Sequence, residues 1–392
     1  MAHYPYLIIG GGMTGAAAAN GIRELDDAGV IGLISAEPEP PYDRPPLSKK
    51  LWDGKKEIEE IYVKLPGNVQ PYFGRRVVAL DPGARAVTLD DGAAHTYGRL
   101  LLATGGDPRR LPFGGEHVNY YRTLADYRAL RADADRAATF IVIGGGFIGS
   151  EVAAALRKRG NAVILVFPEA AISGHIFPAR LAATVNETYR AQGVELLAES
   201  TVTNIEAGAD GATVTLEDGR RLAADRVVAG IGLVPDVALA RAAGLAVENG
   251  ILVDEKLQTT VTGIYAAGDV ANYPDAVLGR RRRVEHADAA RAMGRAAGRN
   301  MAGAGELYRY LPMFYSDLFD LSYEAVGQCD SRLEVVEDWQ EEFKRGVLYY
   351  LQDGRVRGVL LVDVWEKVEE ARGIIEAGEI VTAEELHGRI PA

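Results

Sequence analysis

A chain of 392 residues exceeds one ordinary domain, and its length alone points to two or three. A hydrophobic fraction of 48% with 45 glycines fits a globular α/β enzyme rich in tight turns, and a net charge of −12 leaves no overall cation excess for a nucleic-acid partner. The single cysteine, Cys329, excludes an intramolecular disulfide, a cysteine-rich metal or cluster site and a redox-active dithiol pair, and no metal is expected.

The opening Met1-Ala2-His3-Tyr4-Pro5 runs straight into a strand, without the residue order of a signal or transit peptide. No apolar run reaches the length of a membrane helix, so a cytoplasmic location is expected. Tyr6 to Ile9 is an apolar strand ending in Gly10-Gly11-Gly12-Met13-Thr14-Gly15. An Ala-rich helix to about Asp27 and a second strand, Val30 to Ile34, complete a βαβ unit. Next, Val87-Thr88-Leu89-Asp90-Asp91-Gly92 precedes the buried strand Arg99 to Ala103 and Thr104-Gly105, a hairpin turned by Asp-Gly.

The same order returns downstream. Phe140 to Ile143 leads into Gly144-Gly145-Gly146-Phe147-Ile148-Gly149, a helix to about Arg159 and the strand Ala162 to Phe167. Val214 to Gly219 then precedes the buried strand Arg226 to Ile231 and Gly232. A short strand, Gly263 to Ala267, ends in Gly268-Asp269. From about Leu311 the chain turns aromatic and strand-rich between Gly346 and Val364, with a closing helix. The expected class is α/β with two Rossmann-like dinucleotide-binding domains, the first discontinuous (residues 1–112 and 236–310), the second at 113–235, and a C-terminal α+β domain at 311–392.

A lone G-x-G-x-x-G is weak, but both copies follow a strand, open a helix and precede an acid at the end of the next strand. Gly10, Gly12 and Gly15 are followed by Glu37, and Gly144, Gly146 and Gly149 by Glu169. In each copy the glycines let backbone approach a pyrophosphate at a helix N-terminus while the carboxylate takes ribose hydroxyls. Glu169 repels a 2′-phosphate, and between Phe167 and Phe177 only His175 could become a cation, which favours NADH over NADPH. Two dinucleotides in linked domains suggest one reaction, hydride passing from NADH to FAD and electrons onward. Glu37 with the first turn would hold FAD, helped by Asp269 near the ribityl chain.

Several segments resemble the NADH-dependent ferredoxin reductases and, more closely, the apoptosis-inducing factor family. They are Pro40-Pro41-Tyr42-Asp43-Arg44-Pro45-Pro46-Leu47-Ser48-Lys49, Leu102-Ala103-Thr104-Gly105-Gly106 and Ala267-Gly268-Asp269, with Gly144 to Glu151 and Phe167-Pro168-Glu169. Leu278 to His286, Phe314-Tyr315-Ser316-Asp317-Leu318, Gly346 to Leu351 and Ala371 to Ile375 extend the likeness over nearly the whole chain. The resemblance implies that Arg44, Lys49, Val77, Arg122, Asp269 and His286 contact FAD. Phe147 would stack near the nicotinamide, and Lys49 with Glu151 would form a buried ion pair near the flavin N5. Thr104, Gly232, Glu285, Tyr315 and Glu324 complete the cofactor-binding set that it implies.

Read without the resemblance, Lys49 is equally an exposed lysine in a Pro-rich loop, and Glu151 a surface acid in a helix's first turn favoured by the dipole. His286 is equally a capping or core histidine. The family usually has tryptophan where this chain has Tyr315, two histidines where it has His286-Ala287, and a long insertion where it has a short stretch around Val335 to Phe343. No counterpart of the animal protein's mitochondrial presequence and membrane anchor is expected here, and a cell-death role is not expected to transfer. Candidate acceptors are a [2Fe–2S] ferredoxin, a quinone or oxygen. Arg280 to Arg283 could steer an acidic partner, but an arginine-rich strand or turn paired with local acids is the preferred reading. The second reading is a redox-responsive binding protein, in which a long-lived NADH charge-transfer complex alters dimerisation.

Overall fold

A computed structural model describes residues 1–136, 138–208 and 211–391. Its residues fall into two compact units, one of 1–44, 57–107 and 234–312 and another of 45–56, 108–233 and 313–392.

In the first unit, β1 (Ala2–Ile9), α1 (Met13–Arg23) and β2 (Ile31–Ser35) form the first βαβ unit. They are followed by β3 (Val69–Phe73), β4 (Val77–Asp81), β5 (Ala86–Leu89) and β6 (Ala94–Leu102). The sheet runs β3-β2-β1-β6-β5-β4, with Ile264–Ala266 also beside β6. β1 lies parallel to both β2 and β6, so the chain direction reverses sides at the end of β1, where doubly wound sheets bind ligands. Leu7, Ile8, Leu33, Leu100, Leu101 and Leu102 are buried, as strands covered on both faces require.

Two boundaries depart from the sequence reading, for local reasons. β1 begins at Ala2 rather than Tyr6 because Ala2, His3 and Tyr4 pair with His95, Thr96 and Tyr97 of β6. α1 stops at Arg23 rather than near Asp27 because the Asp26 carboxylate accepts from the N–H groups of Ala28 and Gly29, forming a turn that competes with the helix. On α1, glycine decides helix packing: a side chain at Gly294 or Gly298 of the helix Ala287–Met301 would run into the backbone of Thr14 or Ala18.

The second unit repeats the theme. A five-stranded parallel sheet is ordered Glu195–Leu197, Ala162–Val166, Thr139–Ile143, Arg226–Ala229, Val118–Tyr120, with α2 (Leu124–Ala134) and α3 (Phe147–Lys158) among its helices. The second Asp-Gly hairpin joins Ala212–Leu216 to Arg221–Ala224. Unlike β6, which serves as hairpin arm and core strand in one, this copy breaks before Arg226–Ala229. There Asp225 Oδ2 accepts from Thr139 N–H at 2.6 Å while its own N–H donates to Thr139 O. The C-terminal part is an antiparallel sheet ordered Met313–Leu318, Leu321–Gly327, Arg355–Val362, Arg345–Gln352, Glu334–Glu341, packed with the helix Val368–Ala377. Tyr350 ties it to the rest of the unit by donating to Ile176 O at 2.8 Å.

The segment 45–56 belongs to the second unit through one cluster of bonds. Trp52 Nε1 donates to Leu47 O at 2.7 Å, and the Tyr121 hydroxyl donates to the same oxygen. Tyr127 and Arg131 of α2 both donate to Leu51 O. Two side chains thus fix the short 3-10 turn Pro45–Ser48 at Leu47, and two more hold the chain just after it at Leu51. Among the described residues no helix is long and apolar enough to cross a membrane.

Candidate active site

The two glycine turns have one geometry. Gly10 and Gly144 hold φ of 120° and 111°, a region that favours glycine. A Cβ on Gly10 would enter the Ala103 backbone, and one on Gly15 or Gly149 would strike the carbonyl oxygen of Gly10 or Gly144. Gly12 and Gly146 differ from these. Their backbones are ordinary extended ones (φ −84° and −81°), and a Cβ on either would meet nothing within 4 Å. Neither strain nor packing in the protein demands glycine there. Each caps a helix whose first N–H groups receive no side-chain cap and whose first turn holds no acid, the arrangement that fits a pyrophosphate. The residues present therefore fit two dinucleotides.

In the first unit, Glu37 lies just beyond β2 and is partly buried. Its carboxylate accepts from the Tyr42 hydroxyl at 2.5 Å and from the Arg44 guanidinium. Asp269 lies in the turn Gly268–Val270, where Gly268 packs so tightly on Thr14 that a Cβ would strike the threonine hydroxyl. This brings Asp269 to the N-terminal end of α1, close enough to act electrostatically on Arg44 and His286. His286 is the N-cap residue of Ala287–Met301, yet its side chain does not cap that helix. Burial pushes its pKa down to about 4, with Arg282 adding to the fall and Asp269 opposing it. The ring is therefore neutral at pH 7. Val77 is buried at the start of β4, and Thr104 donates to Asp236 O at 2.7 Å. Glu285 is exposed and paired with Arg283 at 2.6 Å.

The depressed His286 pKa carries a sign. Between the ordinary value near 6.5 and about 4, the unfolded chain binds a proton that the folded chain refuses, so stability falls as pH falls. His286→Gln should lose less melting temperature than the parent between pH 7 and pH 4.5. Parallel losses in the two would remove the assignment.

In the second unit, Lys49 and Glu151 form an ion pair at 2.5 Å with side-chain exposures of 9% and 3%. Both alternatives from the sequence fail here: Lys49 is not an exposed loop lysine, and Glu151 lies past the first turn of α3, facing inward. Two residues missed by the sequence reading complete the group. Ser48 donates to Glu151 Oε2 at 2.5 Å and Ser316 to Oε1 at 2.5 Å. Phe147 opens α3, with its ring edge-on to Phe314 (centroids 4.9 Å apart) and to His175 (5.8 Å). The Lys49 ammonium lies 5.1 Å from the centre of the Tyr315 ring.

The remaining expected site residues of this unit are spread more widely. Arg122 precedes the capping box of α2 and its N–H donates to Asp126. Glu169 is exposed beyond Ala162–Val166, and Gly232 holds φ 99° with open space where a Cβ would point. Glu324 faces Tyr315 across the antiparallel pair, its Oε2 is buried without a hydrogen bond, and burial raises its pKa. Cys329 is half-buried, its thiol donates to Val326 O and Val359 O, and burial raises its pKa, which suits packing rather than redox chemistry.

The arginine run serves the fold of the first unit. Arg280–Arg282 pairs as a strand with Tyr273, Pro274 and Asp275. Arg281 donates to Asn272 O and Val253 O, Arg282 pairs with Asp275 at 2.7 Å, and Arg283 with Glu285. The steering role considered for the run gives way to local pairing at these three positions.

Residues 4–294 match the model of the pyridine nucleotide-disulphide oxidoreductase family, and residues 297–341 that of the C-terminal region of mitochondrion-associated apoptosis-inducing factor. The ferredoxin reductase subunit of a 5,5'-dehydrodivanillate O-demethylase from a Sphingobium strain is 35% identical, over 98% of this chain and 96% of its own. Apoptosis-inducing factor 1 of Dictyostelium discoideum is also 35% identical, over 95% of this chain and 78% of its own. Putidaredoxin reductase, in its covalent complex with putidaredoxin, superposes with a TM-score of 0.92 at 32% identity, covering 98% of this chain and 96% of the other. The chain belongs to the pyridine nucleotide-disulphide oxidoreductase family, within the group that holds ferredoxin reductases and apoptosis-inducing factor. It is an FAD-dependent oxidoreductase that uses NAD(H).

Proposed function

We propose that this enzyme oxidises NADH and delivers the electrons to an acceptor outside the chain. Relatives named as ferredoxin reductases make a ferredoxin, which we take to be of the [2Fe–2S] type, the first candidate acceptor, with quinone and oxygen as the alternatives. The observation that carries the reading is the pair of open glycines, Gly12 and Gly146, at uncapped helix N-termini. When bound, FAD accepts hydride from NADH and releases electrons to the acceptor.

Residues 1–112 and 236–310 would bind FAD and 113–235 NADH, with 311–392 as a C-terminal domain. Gly10, Gly12 and Gly15 let the FAD pyrophosphate reach α1, Glu37 takes a ribose, and Asp269 orients the ribityl chain. Arg44, Lys49, Val77, Thr104, Arg122, Glu285 and His286 complete the FAD contacts. Neutral His286 is a hydrogen-bond partner rather than a cationic acid. Gly144, Gly146 and Gly149 position NADH, Glu169 holds its ribose, and Gly232, Tyr315 and Glu324 line its path. Phe147 sets the nicotinamide plane. Lys49, fixed by Glu151, supplies a positive charge toward the flavin.

Glu169→Ala should raise the KM for NADH about tenfold while FAD stays bound, the loss of one hydrogen bond to a charged group. Phe147→Ala should lower kcat/KM for NADH without changing the flavin content. An unchanged KM in the Glu169 variant would remove its ribose role.

The match of residues 297–341 favours a second reading, a redox-responsive binding protein. Under that reading a persistent complex with NADH shifts the chain between monomer and homodimer. One experiment addresses both. The purified protein is expected to be yellow, to bleach with NADH without oxygen, and to reoxidise fastest with a ferredoxin. Slow reoxidation in air with a changed oligomeric state would favour the sensor, and a colourless protein would sink both. Fractionation of the host cell, with recovery in the cytoplasm expected, tests location.

A further inference from the structure

Three successive residues of the strand Met313–Leu318 each touch a different member of the candidate site. The Phe314 ring meets Phe147 at 4.9 Å, the Tyr315 ring lies 5.1 Å from the Lys49 ammonium, and the Ser316 hydroxyl donates to Glu151 at 2.5 Å. The two aromatic contacts tolerate small shifts, whereas the short Ser316 bond fixes a single oxygen. Ser316 is 1% exposed and shares Glu151 Oε1 with Lys49 Nζ, while Ser48 occupies Oε2. Both oxygens therefore act as acceptors. A strand that follows both dinucleotide units in sequence thus fixes where the carboxylate sits, and through it where the lysine charge sits.

We propose that Ser316 is a positioning residue that sets the redox potential of the bound flavin by fixing the Glu151 carboxylate against Lys49. The proposal rests on the reading that Lys49 contacts FAD. Without the Ser316 hydroxyl, Oε1 has one donor fewer. Lys49 already sits at 2.5 Å from that oxygen, so the lost donor leaves the carboxylate more negative and it offsets more of the lysine charge. Less positive charge reaches the flavin, so its reduced, more anionic form is less stabilised and the potential falls.

The test is spectroelectrochemical titration of the FAD-loaded protein, with stopped-flow reduction by NADH. Ser316→Ala should shift the midpoint potential to more negative values, in the same direction as Lys49→Met and by a smaller amount. Its limiting reduction rate should fall about tenfold, one charged hydrogen bond's worth, with the KM for NADH unchanged. Ser316→Thr, which keeps the hydroxyl, should restore the parent potential. Thermal melts of all variants identify any loss of fold, and Ser48→Ala gives an independent probe from Oε2. A shifted Lys49→Met beside an unshifted Ser316→Ala overturns the proposal and leaves the underlying reading intact. If Lys49→Met does not shift the potential, the reading fails and the proposal falls with it.

Discussion

Gly146→Val is expected to give a folded, yellow protein that no longer uses NADH, with kcat/KM lower by at least about two orders of magnitude, or roughly 3 kcal/mol. The reasoning is spatial. Gly146 has extended backbone that valine adopts readily, and a Cβ there meets nothing within 4 Å. The protein alone therefore tolerates the side chain, and the clash arises only when a dinucleotide approaches the N-terminus of α3. Gly12→Val should behave oppositely in cofactor terms, giving a folded chain that emerges colourless. Gly10→Val is the control, because its side chain would enter the Ala103 backbone at φ 120° and should cost the fold itself. Circular dichroism, flavin absorbance and NADH kinetics separate the three. A Gly146→Val protein with normal NADH kinetics would remove the second fingerprint from the mechanism.

The near-identity of the two turns explains why so much of the fold was legible. Strand, glycine turn, helix and acid are local features, and the Asp-Gly hairpins that follow them are local too. A repeat of local features needs no knowledge of tertiary contacts. The parts that were not legible depend on distance. Ser48 meets Glu151 across 103 positions and Ser316 across 165, and serine has no periodicity that marks it as a buried donor. The resemblance pointed to Lys49 and Glu151 as a pair, but nothing local distinguishes that arrangement from a surface lysine and a helix acid. Similarly, the arginine run reads as a charged patch until Asn272 O, Val253 O and Asp275 are seen beside it.

The structure also gives the two repeats different surroundings. In the first, Glu37 already holds Tyr42 and Arg44, and Gly268 locks the Asp269 turn onto α1, so the dinucleotide side is braced from several elements. In the second, Glu169 is exposed. A braced site suits a resident FAD, and an open one suits an NADH that must leave after each turnover.

The second large effect concerns stability. Glu151→Leu is expected to destabilise the second unit by about 3–5 kcal/mol, the range for breaking a buried ion pair from one side. It leaves the Lys49 ammonium, 9% exposed, and the hydroxyls of Ser48 and Ser316 without their acceptor. Lys49→Met should cost less, because the carboxylate keeps two serine donors. The double variant Lys49→Met/Glu151→Leu should recover most of the loss, since replacing both partners with apolar groups of similar volume removes the unpaired charge along with the pair. Denaturant midpoints of the four proteins, taken with and without FAD, give the coupling directly. Additive losses would mean that the two charges act separately, and would leave the bonds from Ser48 and Ser316 as the reason Glu151 is buried. A large favourable coupling in the apoprotein as well would show that the pair is formed by the fold before any flavin arrives, which is what a preorganised electrostatic site requires.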